Sequence, residues 1–220
     1  MTVAGLVLAA GAGSRLGRPK ALVEVDGEPL VRRAVRLLRA GGCAPVHVVV
    51  GAGAEALPAL PGAVPVVNRR WREGMGVSLR CGLTSLPADA RAVVVVLVDQ
   101  PWLDPAAVRR VRAGYAAGAS VAVATYAGRV GHPVLLARAT WPAVTRFAVG
   151  DRGARDFLCA RSDLVVRVPC DGAGSPADVD TPADLTALSP GRPGERVPSG
   201  RVTPGSGSAA GGVARPGCVR

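Results

Sequence analysis

Short apolar runs alternate with amphipathic stretches from the start of the chain to about residue 188. Val3–Ala9 (VAGLVLA) is unbroken in its apolar character and runs into glycines, the pattern of a strand covered on both faces. Across Pro29–Ala40, Leu30, Ala34, Leu37 and Leu38 share one face while Arg32, Arg33, Arg36 and Arg39 lie largely on the other, which predicts an amphipathic helix. Val46–Val50 and Val64–Val67 read as strands and Gly76–Leu86 as a helix. Ala92–Val98 (AVVVVLV) is the most emphatic strand and ends at Asp99. Asp104 then Pro105 supply an N-cap and a proline at the first helical position, opening a helix to about Ala117. Ser120–Thr125, Pro133–Ala137 and Leu164–Val168 predict further strands, and Arg152–Ala160 a short helix. Thr181–Pro182–Ala183–Asp184 has the form of a capping box.

Strands alternating with helices predict an α/β fold, a three-layer sandwich around a mostly parallel Rossmann-like sheet. Beyond residue 188 the composition changes to Pro, Gly, Ser and Arg without periodicity. The expected organisation is therefore one domain over 1–188 and a disordered tail over 189–220.

Composition narrows the function classes. Hydrophobic residues make up 49% of the chain but aromatics only 3%, so the core must be built from Val, Leu and Ala. No apolar run approaches the ~20 residues that span a bilayer, and the first residues lack a basic n-region, so neither a membrane partner nor a signal peptide is expected. Cys43, Cys81, Cys159, Cys170 and Cys218 are scattered, odd in number and without a CxxC pair, which predicts reduced thiols in a cytoplasmic protein. A net charge of +11 raises nucleic-acid binding. The arginines are dispersed, however, with no basic stripe interleaved with aromatics, and a protein that steers small polyanions is basic for the same electrostatic reason. A small-molecule partner is expected, not a nucleic acid.

The only lysine is Lys20; every other basic side chain among the 27 is arginine. Arginine presents a wide planar fork, whereas lysine is a compact charge on a flexible stem, the form suited to a narrow phosphate pocket. Lys20 closes the string Leu8–Lys20, LAAGAGSRLGRPK, directly after the first predicted strand. Gly11, Gly13 and Gly17 permit close backbone approach, clustered amides form an anion nest, and Arg15 and Lys20 add cations. This suits a triphosphate or pyrophosphate. It is not a dinucleotide fingerprint, since Leu16 stands at the third glycine position, nor a Walker A loop, since Pro19 precedes and Ala21 follows the lysine. Asp99, at the tip of the strongest strand, points to the crevice where α/β proteins bind ligands. With Asp180 it would make a pair of hard carboxylates near phosphates, a set suited to Mg²⁺.

These strings resemble the MobA-like nucleotidyltransferases. LAAGAGSRLGRPK is similar to that family's LAAGxxxRMGxPK, with Leu16 for methionine, VDQP at Val98–Pro101 to its metal-binding motif, and DVDTPADL at Asp178–Leu185 to its final acidic motif. NRRWREGMGVSL at Asn68–Leu79 resembles the pattern of the branch that cytidylylates molybdenum cofactor. GHPVLL from Gly131 and GDRGAR from Gly150 resemble segments that border the second substrate. The resemblance implies the nucleotide-diphospho-sugar transferase type of fold, with Mg²⁺ as cofactor, CTP as the favoured nucleotide and a molybdopterin-type acceptor, with transient contact with a molybdoenzyme.

It also implies the following sites. Asp99 and Asp180 hold Mg²⁺, with Asp178 a weaker candidate. Leu8, Ala9, Ala10, Gly11, Gly13, Ser14, Arg15, Gly17 and Lys20 bind the nucleotide, joined by Asn68, Gly74 and Ser78. Arg15, Lys20, Asp99 and Asp180 form the catalytic set. His132, Arg152 and Arg155 bind the acceptor. Read from the residues alone, Asn68 and Ser78 fit a turn and a helix start equally well, His132 fits a turn before proline, and His47 fits a structural role inside a strand. The reaction implied is transfer of CMP from CTP to the acceptor phosphate with release of pyrophosphate. The same fold acting on GTP or another phosphorylated acceptor, an NAD(P)H-dependent reductase related to this family, and a non-catalytic molybdenum cofactor chaperone are the alternatives.

Overall fold

The computed structural model describes residues 2–187. The expected tail, 189–220, lies outside them. In chain order the elements are β1 (Val3–Ala9), β2 (Glu24–Val25), β3 (Glu28–Pro29), α1 (Leu30–Ala40), β4 (Val46–Val50), β5 (Ala63–Val67), α2 (Met75–Ser85), β6 (Ala92–Leu97), α3 (Pro105–Ala116), β7 (Val121–Tyr126), β8 (Arg129–Ala137), α4 (Trp141–Phe147), α5 (Arg155–Ala160), β9 (Val165–Pro169) and α6 (Pro182–Ala187), with several single 3₁₀ turns between them.

Seven strands form one sheet in the order β5-β4-β1-β6-β8-β7-β9. All neighbouring pairs are parallel except those made by β8, which runs antiparallel to both β6 and β7. Alternate residues of each strand feed different cores, as period-two side chains must. Val94 and Val96 of β6 pack with Leu30, Val31 and Leu38 of α1 and Val108 and Val111 of α3. Val93 and Val95 face the other way, onto Leu79 and Leu83 of α2, Val144 of α4 and Phe157 of α5. The expected three-layer α/β sandwich is the observed one.

The strand order positions the site. From β1 the chain moves outward to β4 and β5, then returns by α2 to place β6 on the other flank of β1. The carboxyl ends of β1 and β6 therefore bracket a topological switch point, where open α/β sheets bind ligands. The glycine-rich loop leaves β1 there and Asp99 leaves β6 there.

Several elements differ from the expectations. His132 lies within β8, not in a turn before Pro133; Val123 and Ala124 of β7 pair with Val134 and Gly131, so His132 and Pro133 are the excess of a bulge. The residues Gly150–Arg152 form a separate 3₁₀ turn ahead of α5. Helix α4 and the β2–β3 hairpin are too short to show a period and were not expected. Cys43, Cys81 and Cys170 are free, but Cys159 is disulfide-bonded, against the expectation of reduced thiols throughout. His47 is buried in β4 with Nδ1 2.9 Å from Ser85 Oγ, which satisfies it as a core histidine.

Candidate active site

The loop after β1 folds into two 3₁₀ turns, Ser14–Leu16 and Lys20–Leu22. Gly13 carries φ +61, and a Cβ there would collide with the Arg18 carbonyl, so only glycine permits this turn. The second turn brings Lys20 back over the sheet. Its Nζ lies 2.6 Å from Asp99 Oδ2 and 2.5 Å from Asp180 Oδ1, so one ammonium joins three segments of the chain. Arg15 Nη1 stands at 3.9 Å from Asp180 Oδ2 from an exposed position. Burial pulls the Lys20 pKa down, but the hydrogen bonds to Asp180 and Asp99 outweigh it and leave the pKa raised, so the ammonium is fully charged at neutral pH.

Asp180 is held at the start of α6. Asp184 Oδ2 accepts from the backbone N–H groups of Asp180 and Thr181 at 2.9 and 2.7 Å and from Thr181 Oγ1 at 2.9 Å, the closure that the capping-box pattern implies. These bonds hold the Asp184 carboxyl below its usual range. Asp178 accepts from Gln100 Nε2 at 2.8 Å; burial raises its pKa, and the neighbouring Asp99 raises it further.

Two cavities meet at these residues. The smaller, about 370 Å³, is lined by Leu8 at the end of β1 and Ala10, Gly11 and Ser14 of the loop, together with Lys20, Asp99 and Ser78. The larger, about 840 Å³, is lined by His132, Arg152, Arg155 and Asp178. Leu8, Met75, Leu97 and Asp151 belong to both walls. The structure thus brings the glycine loop, the lysine and Asp99 to one cavity and the histidine and the two arginines to its neighbour; Asp180 touches Lys20 but does not line either cavity.

Other sequence-named residues stand further back. Ala9 turns into the α1–α3 core. Gly13, Gly17 and Arg15 shape or flank the loop without lining the cavity. Asn68 is buried behind Ser78, donating from Nδ2 to Ser78 Oγ at 3.1 Å and accepting from Arg70 N at 3.0 Å, so it orients the serine. Arg152 pairs with Asp156 at 3.2 Å. Burial lowers the His132 pKa to about 4, with the Asp99 carboxylate opposing, so its imidazole is neutral.

Sequence reasoning missed Trp71, Met75 and Asp151 on the smaller wall and Arg129 and Arg167 on the larger. Asp151 was visible inside GDRGAR, but nothing in the string separates a wall carboxylate from a turn aspartate. Arg167 sits on the edge strand β9, where its neighbours in sequence give no sign of the cavity.

No cluster of three or more His, Cys, Asp or Glu fit to hold a metal occurs among the described residues. Asp99 and Asp180 nevertheless make a hard-oxygen pair close enough to share one ion, and Asp99 Oδ1 is buried without a partner. That orphaned oxygen fits a cation that keeps most of its coordination for water and phosphate, as Mg²⁺ and Mn²⁺ do.

Residues 5–168 match the MobA-like NTP transferase domain. The chain belongs to this family. It is 39% identical over 202 residues to nicotine blue oxidoreductase of Paenarthrobacter nicotinovorans, covering 84% of this chain and 96% of the relative. It is 33% identical over 192 residues to molybdenum cofactor guanylyltransferase of Rhodobacter capsulatus, covering 84% and 94%. Among solved structures, Rv0371c from Mycobacterium tuberculosis H37Rv superposes with a TM-score of 0.75 at 32% identity, over 86% of this chain and 97% of that one. Rv0371c has also been solved in complex with manganese. The family and the Rossmann-like nucleotidyltransferase fold that the sequence strings implied are both found. No described helix is long and apolar enough to cross a membrane.

Proposed function

We propose that this chain transfers CMP from CTP to the terminal phosphate of molybdopterin cofactor, releasing pyrophosphate, with Mg²⁺ as its metal and the cytoplasm as its location. The observation that carries the reading is the convergence of Lys20, Asp99 and Asp180 where the glycine loop meets the smaller cavity. A lysine at an anion nest beside two hard carboxylates is the equipment for a nucleoside triphosphate, and family membership supports it.

The nucleotide would lie in the smaller cavity. The loop amides would take the phosphates, with Ser78, held by Asn68, toward the base or ribose. Asp99 and Asp180 would hold the metal, which when bound neutralises charge on the transferred and leaving phosphates. Lys20 would exchange its carboxylate partners for phosphate oxygens and stabilise the leaving pyrophosphate, with Arg15 following from the loop. The acceptor would enter the larger cavity, its anionic groups facing Arg152 and Arg155 and its planar body on the apolar floor of Leu79, Val95 and Leu136. A phosphate nucleophile is already ionised at neutral pH, so positioning and charge stabilisation supply the catalysis and no strong base is needed. Leu8–Ala9–Ala10–Gly11 favours cytidine, because the family's guanylyl branch carries LAGG where this chain has LAAG.

Pyrophosphate release with molybdopterin cofactor and Mg²⁺, comparing CTP with GTP, ATP and UTP, tests the reading. Release with CTP above the others is expected; release with GTP above CTP would overturn the base assignment. A second reading, an NAD(P)H-dependent reductase, is favoured by the 39% identity to nicotine blue oxidoreductase. It predicts hydride transfer from NAD(P)H to an added nicotine-blue-type pigment as acceptor, without a divalent metal, and no pyrophosphate from any nucleotide.

A further inference from the structure

The larger active-site cavity is unevenly charged. Its wall carries four arginines, Arg129, Arg152, Arg155 and Arg167, against two carboxylates, Asp151 and Asp178. Both carboxylates stand at the nucleotide end. Asp151 also lines the smaller cavity, and Asp178 is bonded to Gln100 Nε2 within electrostatic reach of Asp99, Asp180 and Lys20. Arg152 pairs with Asp156 behind it. Arg129 and Arg167, by contrast, are exposed and make no ion pair among the described residues. Of the carboxylates on the adjoining segments, Asp171 is engaged by Ala127 N at 2.7 Å and Asp163 by Arg161 at 2.9 Å.

The fold fixes where these two arginines stand. Arg129 opens β8 at the hairpin from β7, opposite Tyr126. Ala127 at φ 48 and Gly128 at φ 75 make the tight turn. Two bonds pin it: Asp171 Oδ1 accepts from Ala127 N, and Tyr126 Oη donates to the His132 carbonyl at 3.0 Å. Arg167 lies in β9, opposite Val123 of β7. Val123 and Val165 pack on the side of α2, α4 and α5, so the period of two turns Arg167 onto the same face, that of the larger cavity. Val168, in the other row of β9, packs on the α1–α3 side. In the sheet order β9 stands three strand spacings from β6, about 14 Å at ~4.8 Å each. Asp99 follows the end of β6, so a group on Arg167 lies well beyond the transfer site.

We propose that Arg129 and Arg167 form an outer anion subsite, which holds a second negatively charged group of the acceptor, remote from the phosphate that attacks the nucleotide. The proposal rests on the reading of the larger cavity as the acceptor site. It narrows the acceptor to an elongated molecule with an anionic group at each end; in molybdopterin cofactor the outer group is the dithiolene end. Exposed guanidinium forks without an internal partner are suited to such groups. The cavity, at about 840 Å³, is near the upper end of the ~300–1,000 Å³ range of small-molecule sites, so one ligand can reach from the Asp99 end to β9. The wall is acidic toward Asp99 and basic toward β9, so the outer anion also sets which way round the acceptor enters.

Arg129→Gln and Arg167→Gln test the subsite. Arg91→Gln, at an exposed arginine just before β6 that lines neither cavity, is the control. Each of the first two is expected to raise the KM for molybdopterin cofactor in pyrophosphate release about tenfold, the scale of a lost hydrogen bond to a charged group. Smaller changes are expected in kcat and in the KM for CTP, because the contact is remote from the reacting atoms. A second readout needs no turnover: biphenyl-4,4′-dicarboxylate and biphenyl-4-carboxylate are titrated by calorimetry into each chain. The wild-type and Arg91→Gln chains are expected to bind the diacid about tenfold more tightly than the monoacid, and Arg129→Gln and Arg167→Gln to lose that preference. If the wild-type chain releases no pyrophosphate with any nucleotide, the transferase reading has failed and the titrations alone decide on the subsite. The proposal is overturned if the wild-type chain binds both acids equally, or if the preference for the diacid survives in both variants. It is equally overturned if Arg91→Gln abolishes the preference, which would assign it to overall charge, or if wild-type release is present and the acceptor KM is unchanged in both variants.

Discussion

Lys20 Nζ bridges Asp99 Oδ2 and Asp180 Oδ1, although the two aspartates lie 79 and 160 residues from it along the chain. The lysine side chain is 18% exposed and Asp99 17%, so the contact is sheltered while Asp180 still meets solvent. One ammonium thereby holds two carboxylates beside each other where they would otherwise repel. Lys20→Arg keeps the charge but replaces a point donor by a wide fork. Pyrophosphate release is expected to fall by about a hundredfold or more, with the melting temperature little changed. Near-normal release from this variant would show that charge alone suffices.

Gly13→Ala tests the loop. The substitution sets a side chain at φ +61 against the Arg18 carbonyl. Strain of about 1–3 kcal/mol is expected, relieved by movement of the loop that carries Lys20. Nucleotide affinity, measured by calorimetry, is expected to drop more than stability, measured by denaturant. Gly17→Ala, with a similar positive φ but open space around its Cβ, is expected to be milder.

Asn68→Ala separates an orienting role from direct contact. It leaves Ser78 Oγ and Arg70 N without their partner in a buried place and is expected to cost about 1–3 kcal/mol of stability. Ser78→Ala is expected to weaken nucleotide binding at a smaller stability cost. Equal loss of nucleotide affinity in both variants fits a serine that Asn68 aims; a far larger loss with Asn68→Ala would mean that the asparagine itself meets the ligand.

Stability should fall between pH 6.5 and about 4. His132 is neutral in the fold down to about 4, whereas an unfolded histidine gains its proton near 6.5. In that window the unfolded chain binds more protons, so its population is favoured as the pH drops. Because part of the ring faces a cavity, about 2 kcal/mol is a reasonable size for the loss. His132→Gln should remove this slope in denaturant titrations at pH 7 and pH 4.5; a slope unchanged by the substitution would assign it elsewhere.

The sequence was most informative where a local rule determines local structure. Val3–Ala9 and Ala92–Leu97 are unbroken apolar runs, and both became central strands. Asp104–Pro105 capped α3, with Asp104 Oδ1 accepting from Ala106 N at 2.7 Å. Asp99 and Asp180 were readable because their strings are distinctive, but their meeting at Lys20 depends on the strand order, which no window of sequence contains. His132 was misplaced into a turn because proline usually interrupts a strand, and the bulge that accommodates it is a property of the pairing with β7. Asn68 was assigned to the ligand because a polar residue in an apolar chain draws notice; its burial behind Ser78 is a fact of packing. Trp71, Asp151 and Arg167 reach the cavities from three separate segments and share no spacing that would link them.

The measurement that bears most directly on the central claim is pyrophosphate release by Asp99→Asn, with CTP, Mg²⁺ and molybdopterin cofactor, beside the wild-type chain. Asparagine keeps the size of the side chain and removes the negative charge from the only carboxylate that contacts Lys20 from the end of β6. Release by the wild-type protein, lowered about a thousandfold in the variant at equal folded fraction, is the predicted result. Undiminished release by Asp99→Asn would contradict the account, because the carboxylate at the centre of the cluster would then play no part in the transfer.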